Sequence, residues 1–367
     1  MNQQFLLEVI KGNKNGILAS LIRLILFCLS FPYRTAVAIR NRRYDSGTGV
    51  QRVQARVISV GNLTTGGTGK TPLIAMLAQR LSKQSRISIV SRGYGAKDGQ
   101  PNDEAMELEW LAGVPHVQNA DRVAAANEAI RKSRSTCLLL DDGFQHRRLA
   151  RDLDIVLIDA TCPFGYDYLL PRGLLREPVA SLNRADAIVL TRTDLVSESQ
   201  LQAIKSTIRN KNSTAVVTET QTVARGLIDA DHTRHDLSAI NGPVFAFCGI
   251  GNPDGFIQTL QKNGVDVGQQ KFYADHHSYS GNDLQEIQQL AADAGSDAIV
   301  CTLKDLVKIN RQQLGGIPVF ALAINIEFVH GGDDFFALVN SAIPVAADAN
   351  ATNVAQPDSD STDANAA

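Results

Sequence analysis

Ile58-Ser-Val-Gly-Asn-Leu-Thr-Thr-Gly-Gly-Thr-Gly-Lys-Thr-Pro72 runs from an apolar, β-branched segment through a glycine-rich turn into Gly-Lys-Thr. A strand, turn and helix in this order let backbone N–H groups turn inward around a polyphosphate, bring a lysine to its terminal phosphates and offer a hydroxyl to Mg2+. Lys70 and Thr71 are that lysine and that hydroxyl, and Pro72 fits a first helical turn, where no N–H is needed. The generic pattern G-x-x-x-x-G-K-[ST] asks for glycine where this chain has Thr64, but Gly66, Gly67 and Gly69 still supply flexible backbone. The flanks agree: Arg56–Val60 reads as a buried strand and Leu73–Leu81 as an apolar-faced helix. The stretch predicts a nucleoside triphosphate site, against the competing reading of a chance glycine-rich turn.

Around it, strand-like apolar runs alternate with helical patterns: Val57–Val60, Ile87–Ser91, Thr136–Leu140, Ile155–Ile158, Ala187–Thr191, Val244–Cys248, Ala298–Thr302 and Val319–Ala323. That alternation predicts an α/β fold, a P-loop-like, doubly wound and largely parallel sheet whose ligands sit beyond the carboxyl ends of the strands. The 367 residues allow two domains. We expect an anchor and basic flank over 1–43, a P-loop domain over 44–217 and a connecting segment over 218–236. A smaller C-terminal α/β half over 237–342 completes the site, and an acidic tail over 343–367 has four Asp, no Lys or Arg and no apolar periodicity, the composition of disorder.

A net charge of −2 argues against nucleic-acid binding as the main activity. Cys28, Cys137, Cys162, Cys248 and Cys301 are scattered without a C-x-x-C pair, the usage of a reducing compartment. Ile17–Ala38 is almost wholly apolar and long enough for a membrane helix, although Arg23 is expensive at mid-bilayer and Pro32 can kink the segment. A single-pass or deeply interfacial anchor is the expectation. The competing readings are a cleaved signal peptide, with Ala36-Val37-Ala38 as its cleavage site, and a core helix. Arg34, Arg40, Arg42 and Arg43 outnumber Lys11 and Lys14 upstream, which keeps the bulk of the chain in the cytoplasm.

Two carboxylates, Asp141 and Asp142, end the Thr136–Leu140 run, the placement by which P-loop enzymes set an acidic group beside Mg2+. His146, Arg147, Arg148 and Arg151 follow closely, and a solvated charged turn explains them equally well. Ser91-Arg-Gly-Tyr-Gly95 leads to Asn102-Asp103-Glu104, where a carboxylate can accept a hydroxyl proton, against the reading of a solvated loop, and Ala274-Asp-His276-His-Ser278 sets histidine beside aspartate, as a catalytic or orienting group or as an ordinary surface histidine.

The motifs Val60–Pro72, VSRGYG (Val90–Gly95), NDE (Asn102–Glu104), DRV (Asp121–Val123), DDGFQHRRLARD (Asp141–Asp152), LLPRGLLREP (Leu169–Pro178), ADHH (Ala274–His277) and TLKD (Thr302–Asp305) together resemble the tetraacyldisaccharide 4'-kinase family of lipid A biosynthesis, over roughly Gly16 to Val339. The resemblance implies that Thr64, Thr65, Gly66, Gly67, Thr68, Gly69, Lys70 and Thr71 hold the phosphates of ATP. It also implies that Thr71 with Asp141 or Asp142 serves Mg2+. Asp103 and His276 would prepare the sugar 4'-hydroxyl for attack, and Arg122 and Arg176 match arginines that contact the anionic headgroup. The substrate so implied is tetraacyldisaccharide 1-phosphate, a lipid A precursor met at the inner-membrane bilayer from the cytoplasmic side, with lipid IVA as product and no obligatory protein partner. Two departures stand out: Ala105 and Leu174 replace family prolines, which changes loop geometry and leaves the charged residues in place.

Two other classes compete. In a membrane-tethered GTPase or ATPase switch, Thr191-Arg192-Thr193-Asp194 stands where a guanine reader has Asn-Lys-x-Asp, a substitution that weakens base recognition. A non-catalytic scaffold has no need of Lys70, Thr71, Asp141, Asp142, Asp103 and His276 together.

Overall fold

The computed structural model describes residues 3–93, 103–275 and 277–343. The chain opens with two helices, α1 (Gln3–Lys11) and α2 (Ile17–Asp45), then enters alternating elements: β1 (Arg56–Asn62), α3 (Lys70–Leu81), β2 (Ile87–Ser91), α4 (Asp103–Ala112), β3 (His116–Gln118), α5 (Arg122–Ser133) and β4 (Cys137–Asp141). Next come β5 (Leu153–Asp159), β6 (Ala187–Thr191), α6 (Glu198–Lys211), β7 (Val216–Ile228) and β8 (Arg234–His235). The smaller half adds β9 (Val244–Cys248), α7 (Pro253–Lys262), β10 (Val267–Phe272), α8 (Gly281–Asp293), β11 (Ala298–Thr302), α9 (Leu303–Ile309), β12 (Gln313–Leu314), β13 (Ile317–His330) and α10 (Gly332–Ser341).

Among the described residues all thirteen strands join one sheet, ordered β10-β9-β11-β13-β7-β6-β5-β1-β4-β2-β3, with β8 on β7 and β12 on β13. Every ladder is parallel except β7–β13, β7–β8 and β12–β13. β1, β2, β4 and β6 are β-branched or leucine-rich and almost wholly buried, as strands covered on both faces must be. One face packs α3 and α10 through Leu73, Leu77, Phe335 and Val339, and the other packs α6 through Leu201, Ile204 and Ile208. In the smaller half Phe245, Phe247 and Ile299 pack against Ile287 of α8 and Leu306 of α9.

The stretch 218–236, expected as a connecting segment, is mostly strand, made of β7 and β8. Its Thr and Glu content reads as polar linker, but Thr218 and Thr220 are buried and their hydroxyls donate to the carbonyls of His330 (2.6 Å) and Leu190 (3.0 Å). β7 therefore joins the halves as a sheet strand, parallel to β6 on one side and antiparallel to β13 on the other. The acidic tail beyond residue 343 lies outside the described residues.

The apolar N-terminal run is one helix, α2, with Pro32 inside it. Its first half exposes Ile17, Leu18, Leu21, Leu24, Ile25 and Phe31, whereas its second half is fastened to the core. Tyr33 donates to the carbonyl of Arg176 (2.9 Å), Arg40 pairs with the fully buried Glu177 (2.7 Å), and Arg147 holds Asp45 (2.7 Å). The guanidinium of Arg23 is satisfied locally, donating to the carbonyl of Lys14 (3.0 Å).

Candidate active site

β1 lies between β4 and β5, so the chain leaving β1 meets the chain leaving β4; Val60 is in register with Asp141. The approach is close enough to require glycine, since a Cβ on Gly61 would stand 2.7 Å from the backbone nitrogen of Phe144. Beyond it, Gly66 (φ 114°) and Gly69 (φ 87°) take left-handed backbone that side chains resist. A Cβ on Gly66 or Gly67 would meet nothing within 4 Å, so the cradle opens on empty space.

The loop is braced from outside. Thr65 N–H donates to the carbonyl of Leu174 (2.8 Å), Arg176 N–H to that of Leu63 (2.7 Å), and the Thr191 hydroxyl to that of Thr68 (3.0 Å). Leu174 also uses the N–H that a proline would lack, donating to the carbonyl of Gly165 (2.9 Å).

Asp142 has φ 51°, an uncommon conformation for a non-glycine residue and one that gathers at functional sites. Both of its carboxylate oxygens accept from one nitrogen, Nη1 of Arg176 (2.7 and 2.9 Å), and Lys70 stands 3.8 Å away. Burial pushes the Asp142 carboxyl up, but Lys70, Arg176 and Arg122 outweigh it and hold it below its ordinary value. Arg122 is buried at the start of α5, where desolvation and the like charge of Arg92 lower its pKa against the pull of Asp142 and Asp141.

The structure thus brings Lys70, Thr71, Asp141, Asp142, Arg122 and Arg176 together. The side chain of Asp103 and the whole of His276 lie outside the described residues. Their neighbours are placed: α4, which begins at Asp103, packs against α9, and α9 grips the segment around His276 through Lys304–Asp275 (3.1 Å) and Lys308 to the carbonyl of His277 (3.1 Å).

The residues present fit Mg-ATP. The cradle is open, and the Thr68 hydroxyl and Arg122 Nε are buried without a hydrogen-bond partner among the described residues. Those residues hold no cluster of three or more His, Cys, Asp or Glu, and Mg2+ characteristically takes one or two carboxylates and completes its shell with phosphates and water. A cleft of about 230 Å3 continues from Gly69 and Pro72 between α3 and α7 to Asn252 and Phe256.

Sequence reasoning left the arginines after Asp142 undecided, and they are fasteners. Arg151 donates to the carbonyls of Gly143 (3.2 Å) and Phe144 (2.9 Å) and pairs with Asp154 (2.8 Å), while Arg148 holds Asp121 (2.9 Å), the N-cap of α5. Glu177 was missed as a structural centre; its place in a run with three arginines nearby was the only signal.

This fold and this cluster define a P-loop phosphotransferase. The family model for Tetraacyldisaccharide-1-P 4'-kinase matches residues 22–343. A tetraacyldisaccharide 4'-kinase of Halothermothrix orenii is 35% identical over 92% of this chain and 97% of its own length, and one of Syntrophus aciditrophicus is 36% identical over 83% and 88%. The crystal structure of LpxK from Aquifex aeolicus in complex with ATP, 28% identical, superposes with a TM-score of 0.71 over 88% of this chain and all of that one. The chain belongs to the tetraacyldisaccharide-1-P 4'-kinase family and is a kinase.

Proposed function

We propose that the chain transfers the γ-phosphoryl group of ATP to the 4'-hydroxyl of tetraacyldisaccharide 1-phosphate, giving lipid IVA at the cytoplasmic face of the inner membrane. The observation that carries this reading is the meeting of the cradle with Lys70, Asp141, Asp142 and the two arginines at the carboxyl ends of β1 and β4. Phosphoryl transfer is mostly positioning and neutralisation of charge. The loop Thr64–Thr71, apart from the Thr65 N–H that is spent on Leu174, would hold the phosphates, Lys70 would meet the terminal one, and Thr71 with Asp141 or Asp142 would hold Mg2+, which would neutralise phosphate charge. Arg176 orders Asp142, and Arg122 and Arg176 present positive charge to the anionic sugar. Asp103 and His276 take the proton from the 4'-hydroxyl, a contribution of about 10²–10⁴-fold from a well-placed base.

Two further observations support a membrane-borne acceptor. A groove of about 370 Å3, lined by Phe27, Phe31, Tyr168 and Val179 with Arg34 and Asp167 at its polar side, runs between α2 and the segment around Arg176. The part of α2 ahead of its fastened half, Ile17–Pro32, rises roughly 24 Å at about 1.5 Å per residue, short of the roughly 30 Å hydrocarbon core, and its end already packs on Tyr168 through Phe27. Because Tyr33, Arg40 and Asp45 are fastened to the core, we infer that α2 lies in the interface and does not span the bilayer. The GTPase reading is disfavoured by Asp194, whose carboxylate is paired with Lys262 (2.5 Å), and by Arg192, which is paired with Asp159.

The test is transfer of labelled γ-phosphate from Mg-ATP to tetraacyldisaccharide 1-phosphate in detergent micelles, with Asp103→Ala and His276→Ala alongside wild type. Label on the lipid that falls sharply in both variants is expected. Phosphate release independent of lipid and unchanged in the variants would sink the kinase mechanism and favour the switch.

A further inference from the structure

The TLKD motif has no role in the cradle's own half, yet it reaches the cradle through two short links. β9 and β11 are parallel neighbours, so the turns after Cys248 and Thr302 emerge side by side. Asp305, in the first turn of α9, is fully buried. Its carboxylate accepts from Gly249 N–H (3.1 and 3.2 Å), the Tyr279 hydroxyl (2.9 Å) and the Thr302 hydroxyl (2.6 Å), and Lys308 Nζ stands 4.0 Å away. A buried carboxylate persists only when donors surround it, and these donors come from the loops after three successive strands.

Gly249 itself is tightly enclosed: a Cβ there would stand 3.2 Å from the carbonyl of Ala274 and the Tyr279 hydroxyl. Two residues on, a Cβ on Gly251 would stand 3.8 Å from the backbone nitrogen of Gly67, in the phosphate cradle, and 3.5 Å from the Asp275 carboxylate. These are ordinary contact distances, and Gly251 does not have the positive φ that would demand glycine. Its lack of a side chain therefore leaves room beside the cradle and answers no need of the backbone.

We propose that Asp305 is a positioning residue for the nucleotide: by drawing the Gly249 turn onto α9 it sets Gly251 as a second wall of the phosphate cradle, opposite Gly67. The inference rests on the ATP reading above. Side-chain volume at position 251 then controls the room for the triphosphate, and the smaller half contributes to nucleotide retention through backbone rather than charge. The same carboxylate ties this wall to Tyr279, on the segment that leads from β10 to α8.

The experiment titrates the full chain with a fluorescent ATP analogue in the absence of lipid, then measures KM separately for ATP and lipid. Wild type, Gly251→Ala, Gly251→Val and Asp305→Asn are compared, with melting temperatures as a control on folding. Gly251→Val should weaken nucleotide binding about tenfold and raise KM for ATP alike, with KM for lipid within about twofold and the melting temperature unchanged. Gly251→Ala should lie between it and wild type, and Asp305→Asn should weaken nucleotide binding about fivefold. Where Asp305→Asn fails to fold, the Gly251 pair decides. A Gly251→Val protein that binds the analogue as tightly as wild type, or loses lipid and nucleotide affinity equally, overturns the proposal while leaving the kinase reading intact. A wild-type chain that binds no ATP analogue overturns that reading and the proposal with it.

Discussion

At the carboxyl ends of β1 and β4, Lys70, Arg122 and Arg176 surround Asp141 and Asp142, whereas at those of β9 and β11 one buried carboxylate, Asp305, gathers a backbone N–H and two hydroxyls. The first corner keeps its charges ready before any substrate arrives. Its strained Asp142 and desolvated Arg122 are the cost of that preorganisation. The second corner shapes space and brings little net charge. Damage to the first corner should therefore appear in the rate of transfer, and damage to the second in retention of the nucleotide.

The sharpest test of that division is Lys70→Ala. Removing one preorganised electrostatic group typically costs about 10²–10³-fold in kcat. Lys70 is solvent-reachable and its partner Asp142 keeps Arg176, so the fold should be undisturbed. Steady-state transfer assays should show kcat falling by roughly that factor, with a smaller rise in KM for ATP. A variant that lost only nucleotide affinity would erase the distinction between the corners.

The charged corner was largely legible in the sequence because its chemistry sits in contiguous runs. Gly-Lys-Thr and the paired Asp141-Asp142 each follow an apolar strand, and strand order places such ends together. The second corner was not legible from residue chemistry, because glycine, threonine and tyrosine carry no signature of a site and Asp305 lies far from Gly249 in sequence. Only the family resemblance drew attention to TLKD. The long strand β7 was hidden for a related reason: its buried threonines satisfy themselves on carbonyls across the sheet, which composition cannot reveal. The arginines after Asp142 stayed undecided in the sequence because their carboxylate partners, Asp45, Asp121 and Asp154, come from distant elements or from the next strand.

Glu177 links the charged corner to α2, and its neutralisation measures how much that link matters. Its carboxylate takes Arg40 (2.7 Å), Asn41 (3.0 Å) and Arg184 (2.9 Å), and it is fully buried beside Arg176. Glu177→Gln leaves the half-buried Arg184 without its counter-charge, for which we expect a loss of about 2 kcal/mol in chemical denaturation, the more modest because Arg40 and Arg184 both reach solvent. Activity in micelles should fall less than in Lys70→Ala, because Arg176 keeps Asp142. Unchanged stability would show that α2 is held by its apolar contacts and that the charged corner stands alone.

The smallest expected effect concerns acid, and it should also separate the two corners. His146, in the turn after Asp142, is lowered to about 4 by burial and then by Arg122 and Arg151, and its Nε2 has no hydrogen-bond partner among the described residues. His116, beside the end of β2, is lowered to about 4 by burial and bonds the Ser91 hydroxyl (2.8 Å). Both are neutral in the folded chain where they would be protonated in the unfolded one. Between pH 6.5 and about 4 the unfolded state therefore binds more protons, so the stability these groups contribute is whole above 6.5 and is lost as pH falls through that window. One proton is worth at most about 1.4 kcal/mol per pH unit, and partial solvent access to His146 brings the expected share of that residue to about 1 kcal/mol over the window. Denaturation of wild type and His146→Gln from pH 7.5 to 4.5 should give curves that are parallel above 6.5, with the wild type losing stability more steeply below it. Curves that stay parallel to pH 4.5 would mean that His146 already has a proton-accepting partner, and that the charged corner is less desolvated than its arginines imply.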